Sequence, residues 1–262
     1  MERLKPKFWA IITFVLALVY FLGPLVSVFI FSLKAKKGTF SFTAYGNVLR
    51  DPAFFNSFFF SFKTALAVIL LGLLLIIPAV MYVRLRAPRL QGPMETLANL
   101  PFTVPVIVLA FGLIRLYGKP PVALISNPLL LVAGYITICL PYLYRTIDSG
   151  FAAMDLKTLT EASASLGAPG FRTLVEVVLP NLKTALVAAA SIIFALVMGE
   201  LTLAILLAWP AFGPWMAQIG RDLAYEPAAL AVMSFGLTWL SIALFHAASR
   251  VLGDTSFKAP VA

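Results

Sequence analysis

Charge is scarce in this chain. Only 12% of its 262 residues are charged and 61% are hydrophobic, roughly half the charged share of an ordinary soluble domain. Such a chain cannot cover a folded surface against water, so lipid must be its solvent. Cysteine is nearly absent: Cys139 stands alone, which excludes an intrachain disulfide and any multi-cysteine metal site. Within an apolar run it reads as a small buried hydrophobe. The single histidine, His246, reads as a packed or interfacial residue near the end of the last apolar run. No Gly-x-x-x-x-Gly-Lys-Ser/Thr is present to cradle nucleotide phosphates. No carboxylate pair or Glu-x-x-His falls within the apolar runs, so intramembrane hydrolysis and metal catalysis have no constellation to rest on. The expectation is a non-catalytic chain with no cofactor and no metal. The net charge of +9 does not indicate nucleic acid, because the basic residues cluster at the ends of apolar runs and leave no basic face.

What the chain does have is long apolar runs. A spanning helix needs about 20 largely apolar residues. Six candidates follow: 8–31, 58–83, 100–117, 129–147, 185–209 and 230–248. They are continuously apolar, whereas barrel strands alternate, so helices are expected. The fold class is an all-α polytopic membrane protein, with one membrane domain over 1–262. The third run carries Pro101 and Pro105, which delay a regular helix to about Val104. The first run follows Arg3, Lys5 and Lys7 and ends in Lys34, Lys36 and Lys37. It is too long for the core of a signal peptide and reads as a retained span. Residues 39–56 are too aromatic for a solvated loop and read as an interfacial stretch, partly an amphipathic helix.

One long segment is polar enough for water: Glu161 to Pro180, EASASLGAPGFRTLVEVVLP. Thr160 can cap a short helix over 161–166, which Gly167 and Ala168-Pro169-Gly170 then break. A second short helix over 171–178 stops near Pro180. Two short helices joined by a glycine elbow make a protruding knob, suited to docking a soluble partner. The segment resembles the EAA loop of permease subunits in binding-protein-dependent ABC importers. Glu161, Ala162, Gly167, Val177, Leu179 and Pro180 occupy that pattern's places. Ser163 stands where a second Ala is usual, and Val177 where Ile is usual. Tyr45–Ser57 and Leu140–Tyr144 look like the same family, so the resemblance covers most of the chain. Within it, length and loop spacing are most similar to the spermidine/putrescine-type permease group, whose relatives also carry iron, thiamine or phosphonates.

The resemblance implies a cytoplasmic coupling loop between the fourth and fifth spans, with Glu161, Ala162, Ser163, Gly167, Leu179 and Pro180 contacting an ATPase. It implies two copies of a cytoplasmic ATP-binding subunit, a second permease chain, homologous but distinct, and an extracytoplasmic solute-binding protein. It also implies a bacterial inner membrane with both termini inside. Most of the 20 Lys and Arg then fall on the cytoplasmic side, as the positive-inside rule asks, although Lys34, Lys36 and Lys37 oppose it.

Few charges lie within the runs. Glu200 sits about 15 residues, or ~22 Å, into the fifth. A charge there costs about 2.5–3.5 kcal/mol to insert and should face the bundle interior or water. The stretch Gly199-Glu200-Leu201-Thr202 resembles a Gly-Glu-Phe-Thr type found at this place in importer permeases. Glu200 with Thr202 either lines a translocation pathway, or Glu200 is a structural ion pair or a protonated, hydrogen-bonded carboxyl. Lys63 and Arg115 either snorkel to the outer headgroups or reach Glu200 or an anionic solute. With one acid mid-span and these cations outward of it, a polycation is weakened, and small anions or zwitterions stay open. Arg145 reads as an anchor for the inner end of its span. A different class of reading keeps the chain self-sufficient, as a secondary transporter or channel using Glu200 as an ion or proton site. Proton-coupled uptake by the chain alone would separate the two.

Overall fold

The computed structural model describes residues 4–36, 39–120 and 123–253. Their regular structure is helical, apart from one isolated pairing of Lys36 with Thr39. The order is α1 (Leu4–Ser32), α2 (Thr43–Arg50), α3 (Pro52–Arg86), a 3-10 turn (Pro88–Leu90), α4 (Gln91–Asn99), a second 3-10 turn (Leu100–Phe102), α5 (Val106–Tyr117) and α6 (Pro128–Ala152). There follow α7 (Leu156–Ser165), α8 (Gly170–Thr173), a π-helical turn (Leu174–Val178), α9 (Leu179–Asn181), α10 (Lys183–Gly199), α11 (Thr202–Leu206), α12 (Phe212–Asp222) and α13 (Glu226–Gly253).

Four helical stretches are each long and apolar enough to cross a membrane: Phe8–Ser32, Pro52–Arg86, Pro128–Ala152 and Glu226–Leu244. Two bent pairs qualify only when each is taken together. They are Pro88–Phe102 with Val106–Tyr117, bent by 95°, and Gly170–Asn181 with Lys183–Gly199, bent by 76°. Among the described residues, the helices long and apolar enough to cross a membrane thus number 4, or up to 6 if each bent pair is one span.

Two expected runs are not single regular helices. Over 100–117 the α-helix begins only at Val106, because Pro101 sits in the 3-10 turn and Pro105, at φ −57 and ψ 137, is the N-cap. Proline lacks the N–H that a helix interior needs. Over 185–209 the helix stops at Gly199, and Glu200 is extended with ψ 130. The stretch 39–56 does contain a short helix, α2, with Ala44 and Val48 buried. Asp51 starts α3 by accepting from Ala53 N at 2.9 Å, with Pro52 following it, a favoured first-turn arrangement.

The contacts group the chain into two units, one drawn from Met1–Asn56 with Trp215–Leu237 and one from Ser57–Pro214 with Thr238–Ala262. In the first, the hydroxyls of Ser32 and Tyr45 meet at 2.7 Å, tying the end of α1 to α2. Asn47 Nδ2 donates to Glu226 Oε1 at 2.9 Å.

In the second unit α6 is the hub, with Leu131, Leu143, Ile147 and Phe151 almost fully buried. Small residues set the spacing. A Cβ on Gly150 would lie 2.5 Å from Ala185 Cβ, one on Gly134 2.6 Å from Leu203, and one on Gly72 2.8 Å from Leu143. Close approach through small side chains is how helices pack where lipid removes the hydrophobic drive. It brings α10, α11 and α3 against α6. At one end, Arg84 Nε donates to Asp148 Oδ1 at 2.7 Å and its Nη2 to the Asp148 carbonyl at 3.1 Å, joining α3 to α6.

Candidate functional site

The polar segment after α6 builds an elbow. Its first helix, α7, is capped by Asp155, which accepts from Thr158 N at 3.2 Å and from Thr158 Oγ1 at 2.7 Å. The expected cap, Thr160, lies inside the helix and donates to the carbonyls of Leu156 and Lys157. A carboxylate three residues ahead of a threonine N–H is the better acceptor for an exposed helix N-terminus. These bonds, led by the one from the Thr158 hydroxyl, hold the Asp155 carboxyl below the usual carboxylate range.

The helix closes as the glycine signal anticipates. Gly167 takes φ +79, with Gly167 N bonded to Ala164 O at 2.9 Å and Ala168 N to Ser163 O at 3.1 Å. A left-handed residue at a helix end is the ordinary place for glycine. Across the elbow the buried hydroxyls of Ser163 and Thr173 meet at 2.9 Å, so serine at the position usually held by alanine has a partner. Glu161 is exposed, with a loose contact of 3.9 Å to Lys157. Leu166 and Phe171 are 89% and 78% exposed and Val175 is exposed beside them, so the knob carries large apolar side chains among its polar ones.

The second arm ends one residue past Pro180, near the expected stop. It runs from Gly170 to Asn181 and bends at Leu182, which is buried. Leu179 N bonds back to Leu174 O, a π-helical spacing. A proline ring clashes with the carbonyl four residues earlier, and a widened turn relieves that crowding.

The second candidate place is the break after α10. Glu200 turns its carboxylate onto the start of α11, accepting from Leu203 N at 2.9 and 3.1 Å and from Ala204 N at 3.3 Å. Anionic oxygen against free helix N–H groups is favourable. Thr202 is exposed beside it. Tyr135 and Cys139 of α6 are both buried. Gly213 permits the backbone to close over the break, since a Cβ there would lie 2.4 Å from Glu200 O. The short helix α11 ends on Ala208 at φ 58, with Trp209 N bonded to Ala204 O at 2.9 Å.

Lys63 and Arg115 are both exposed. The ion pairs among the described residues are Arg84–Asp148, Lys157–Glu161 and Arg172–Glu176, so neither cation is paired with Glu200. Arg145 stands 5.8 Å over the ring of Phe102. The side chain of His246, with Arg3, Lys37 and Lys258, lies outside the described residues. Sequence reasoning missed Asp155, Thr173 and the Arg84–Asp148 clasp. Only the first left a local signal, an Asp ahead of a helical run with Thr three residues on.

The described residues thus form a helical chain with several apolar helices and a bent polar elbow, the architecture of a polytopic membrane protein. The chain belongs to the family of binding-protein-dependent transport system inner membrane components, whose model matches residues 83–254. It is 27% identical over 202 residues to the probable ABC transporter permease protein y4fN of Sinorhizobium fredii, covering 72% of this chain and 35% of that protein. The chain therefore spans about a third of that relative's length. It is 26% identical over 193 residues to the molybdate/tungstate transport system permease protein WtpB of Pyrococcus furiosus, covering 73% and 74% of the two. In fold it matches a bacterial ABC transporter involved in the import of the acidic polysaccharide alginate. The TM-score is 0.65 at 13% identity, over 95% of this chain and 97% of that one. A bacterial alginate ABC transporter in complex with alginate pentasaccharide-bound periplasmic protein matches with a TM-score of 0.65 at 14% identity, over 96% of this chain and 98% of that one.

Proposed function

We propose that this chain is one of two pore-forming subunits of an ATP-driven importer, with Glu161 and the elbow as the lever that ATP hydrolysis moves. The observation that carries this is the elbow's geometry within the matched region: two short arms fixed by Gly167 at φ +79 and by the Ser163–Thr173 hydroxyl pair. An arm held rigid at its joint transmits displacement, whereas a floppy loop dissipates it. Exposed Leu166 and Phe171 give the knob apolar contact area for a soluble partner. In this scheme two cytoplasmic ATPases grip the elbows of this chain and of a homologous second permease. A binding protein delivers solute at the opposite face, and both termini are cytoplasmic. Ala162, Leu179 and Pro180 complete the coupling set.

The solute in this proposal is small and polar or charged, delivered as in the spermidine/putrescine-type group with its iron, thiamine and phosphonate relatives. An anion is favoured over a polycation. The one acid well inside the fifth run bonds backbone N–H groups, and exposed Lys63 and Arg115 add positive charge along the pathway with Thr202.

The test is co-purification of the chain with its ATPase, then solute-stimulated ATP hydrolysis in vesicles. Glu161→Lys or Gly167→Asp should leave membrane insertion intact and abolish the stimulation. Normal transport by either variant overturns the coupling assignment.

A further inference from the structure

A groove of ≈ 720 Å³ lies between the last turns of α3 and the elbow. Its lining sorts by chemistry along α3. Pro78 and Met81 belong to the apolar part of that helix, while Arg84 and Arg86 mark its charged end; Lys157 and Glu161 of α7 share the groove with them. Three cations thus stand against one carboxylate. Arg84 is engaged with Asp148 through Nε and Nη2. Arg86 is exposed and has no ion pair among the described residues. Lys157 is 3.9 Å from Glu161 with both side chains exposed, a pairing that holds little.

A cavity apolar toward the span and cationic at its edge complements one kind of molecule. We propose that this groove seats an anionic phospholipid, with its phosphodiester on Arg86 and Lys157 and its acyl chain along Pro78 and Met81. Cations beside an apolar span draw anionic headgroups to the membrane surface. The far wall of the groove is the elbow itself, including Gly170 and Phe171, so the seated lipid bears on the lever and sets how readily it moves. That second step rests on the coupling role proposed above; the binding step does not.

The 262-residue chain in detergent is equilibrated with phosphatidylglycerol or phosphatidylcholine, and retained lipid is counted by native mass spectrometry. Phosphatidylglycerol should be retained in preference. The pair Arg86→Gln with Lys157→Gln should weaken it about 30-fold, at roughly one favourable unit of headgroup attraction per cation. Arg89→Gln, a cation outside the groove lining, should leave retention unchanged, and Arg86→Lys should keep most of it. Equal retention of the two lipids, or equal loss in Arg89→Gln, overturns the site. Inorganic phosphate is added as a competitor. If it displaces the lipid, the groove is a free-phosphate site and the lipid assignment falls. In vesicles with the ATPase bound, raising phosphatidylglycerol should change stimulated hydrolysis in the native chain and not in the pair variant. An identical response in both overturns the link to the elbow. Absence of any ATPase complex would instead overturn the proposed function, leaving the lipid count standing.

Discussion

Gly167 offers the sharpest test of the elbow because its two properties can be separated. Its φ of +79 is a conformation that side chains with a Cβ rarely adopt, yet nothing lies within 4 Å of where a Cβ would stand. Gly167→Ala therefore introduces no collision and only backbone strain, about 1–2 kcal/mol for a left-handed alanine. That strain changes the population of the bent elbow roughly 5- to 30-fold. Asparagine tolerates this region better, so Gly167→Asn should lose less. Gly170 serves as the control: it has no positive φ and is equally open, so Gly170→Ala should be silent. The assay is solute-stimulated ATP hydrolysis by the reconstituted complex, with expression and ATPase retention checked in parallel. The expected order of activity is native, then Asn, then Ala, with Gly170→Ala at the native level. If Ala equals glycine, or if Gly170→Ala is the worse variant, the bend is not what coupling requires.

Other expectations follow from single contacts. Ala208→Gly removes the strain at φ 58 and should stabilise the protein by about 1 kcal/mol, seen as a thermal midpoint some 2–4 °C higher in detergent. Thr173→Val leaves the buried Ser163 hydroxyl without its partner and should cost about 1–3 kcal/mol, Ser163→Ala should cost less because Thr173 Oγ1 keeps the Pro169 carbonyl at 3.3 Å, and the two together should cost less than their sum; additive losses in thermal unfolding would refute the pairing. Arg84→Gln should loosen α3 from α6 by about 1.5–3 kcal/mol, and exchanging the two charges, Arg84→Asp with Asp148→Arg, should recover part of the midpoint. Asp155 has a lowered pKa in the folded chain, so its contribution is present above the ordinary carboxylate value and lost as pH falls through the lowered one. The protection of the Thr158 amide against exchange, taken relative to its intrinsic rate at each pH, should hold at neutral pH and fall only in strong acid.

The long elements were legible because lipid demands them. The runs that became α1, α3, α6 and α13 announce themselves by length and apolarity alone. The elbow was legible because its grammar is polar: glycine, proline and hydroxyl residues each have a local physical reason for their place. What escaped was the interruption of apolar runs. At 185–209 both lipid-facing and core-facing side chains are apolar, so no periodicity reveals that the helix stops at Gly199. Glu200 was visible as an expensive charge, yet its hold on the N–H groups of Leu203 and Ala204 depends on a helix break that no local pattern signals. The helix α12 over Phe212–Asp222 was hidden for a similar reason, since it follows the break after α11 and its second residue, Gly213, fits against Glu200 O. Asp155 lost to Thr160 in the sequence reading because the start of α7 was placed too late. The Arg84–Asp148 clasp pairs residues that no local pattern joins.

The widened turn at Leu174–Val178 has an evolutionary reading. It holds one residue more than a regular turn would need, so deleting a single residue there restores normal winding without rotating what lies on either side. Elsewhere in a helix the same deletion would swing every downstream side chain through about 100°. Relatives lacking a proline at the place of Pro180 would have no need of the extra residue, and length variation in this arm should track that proline.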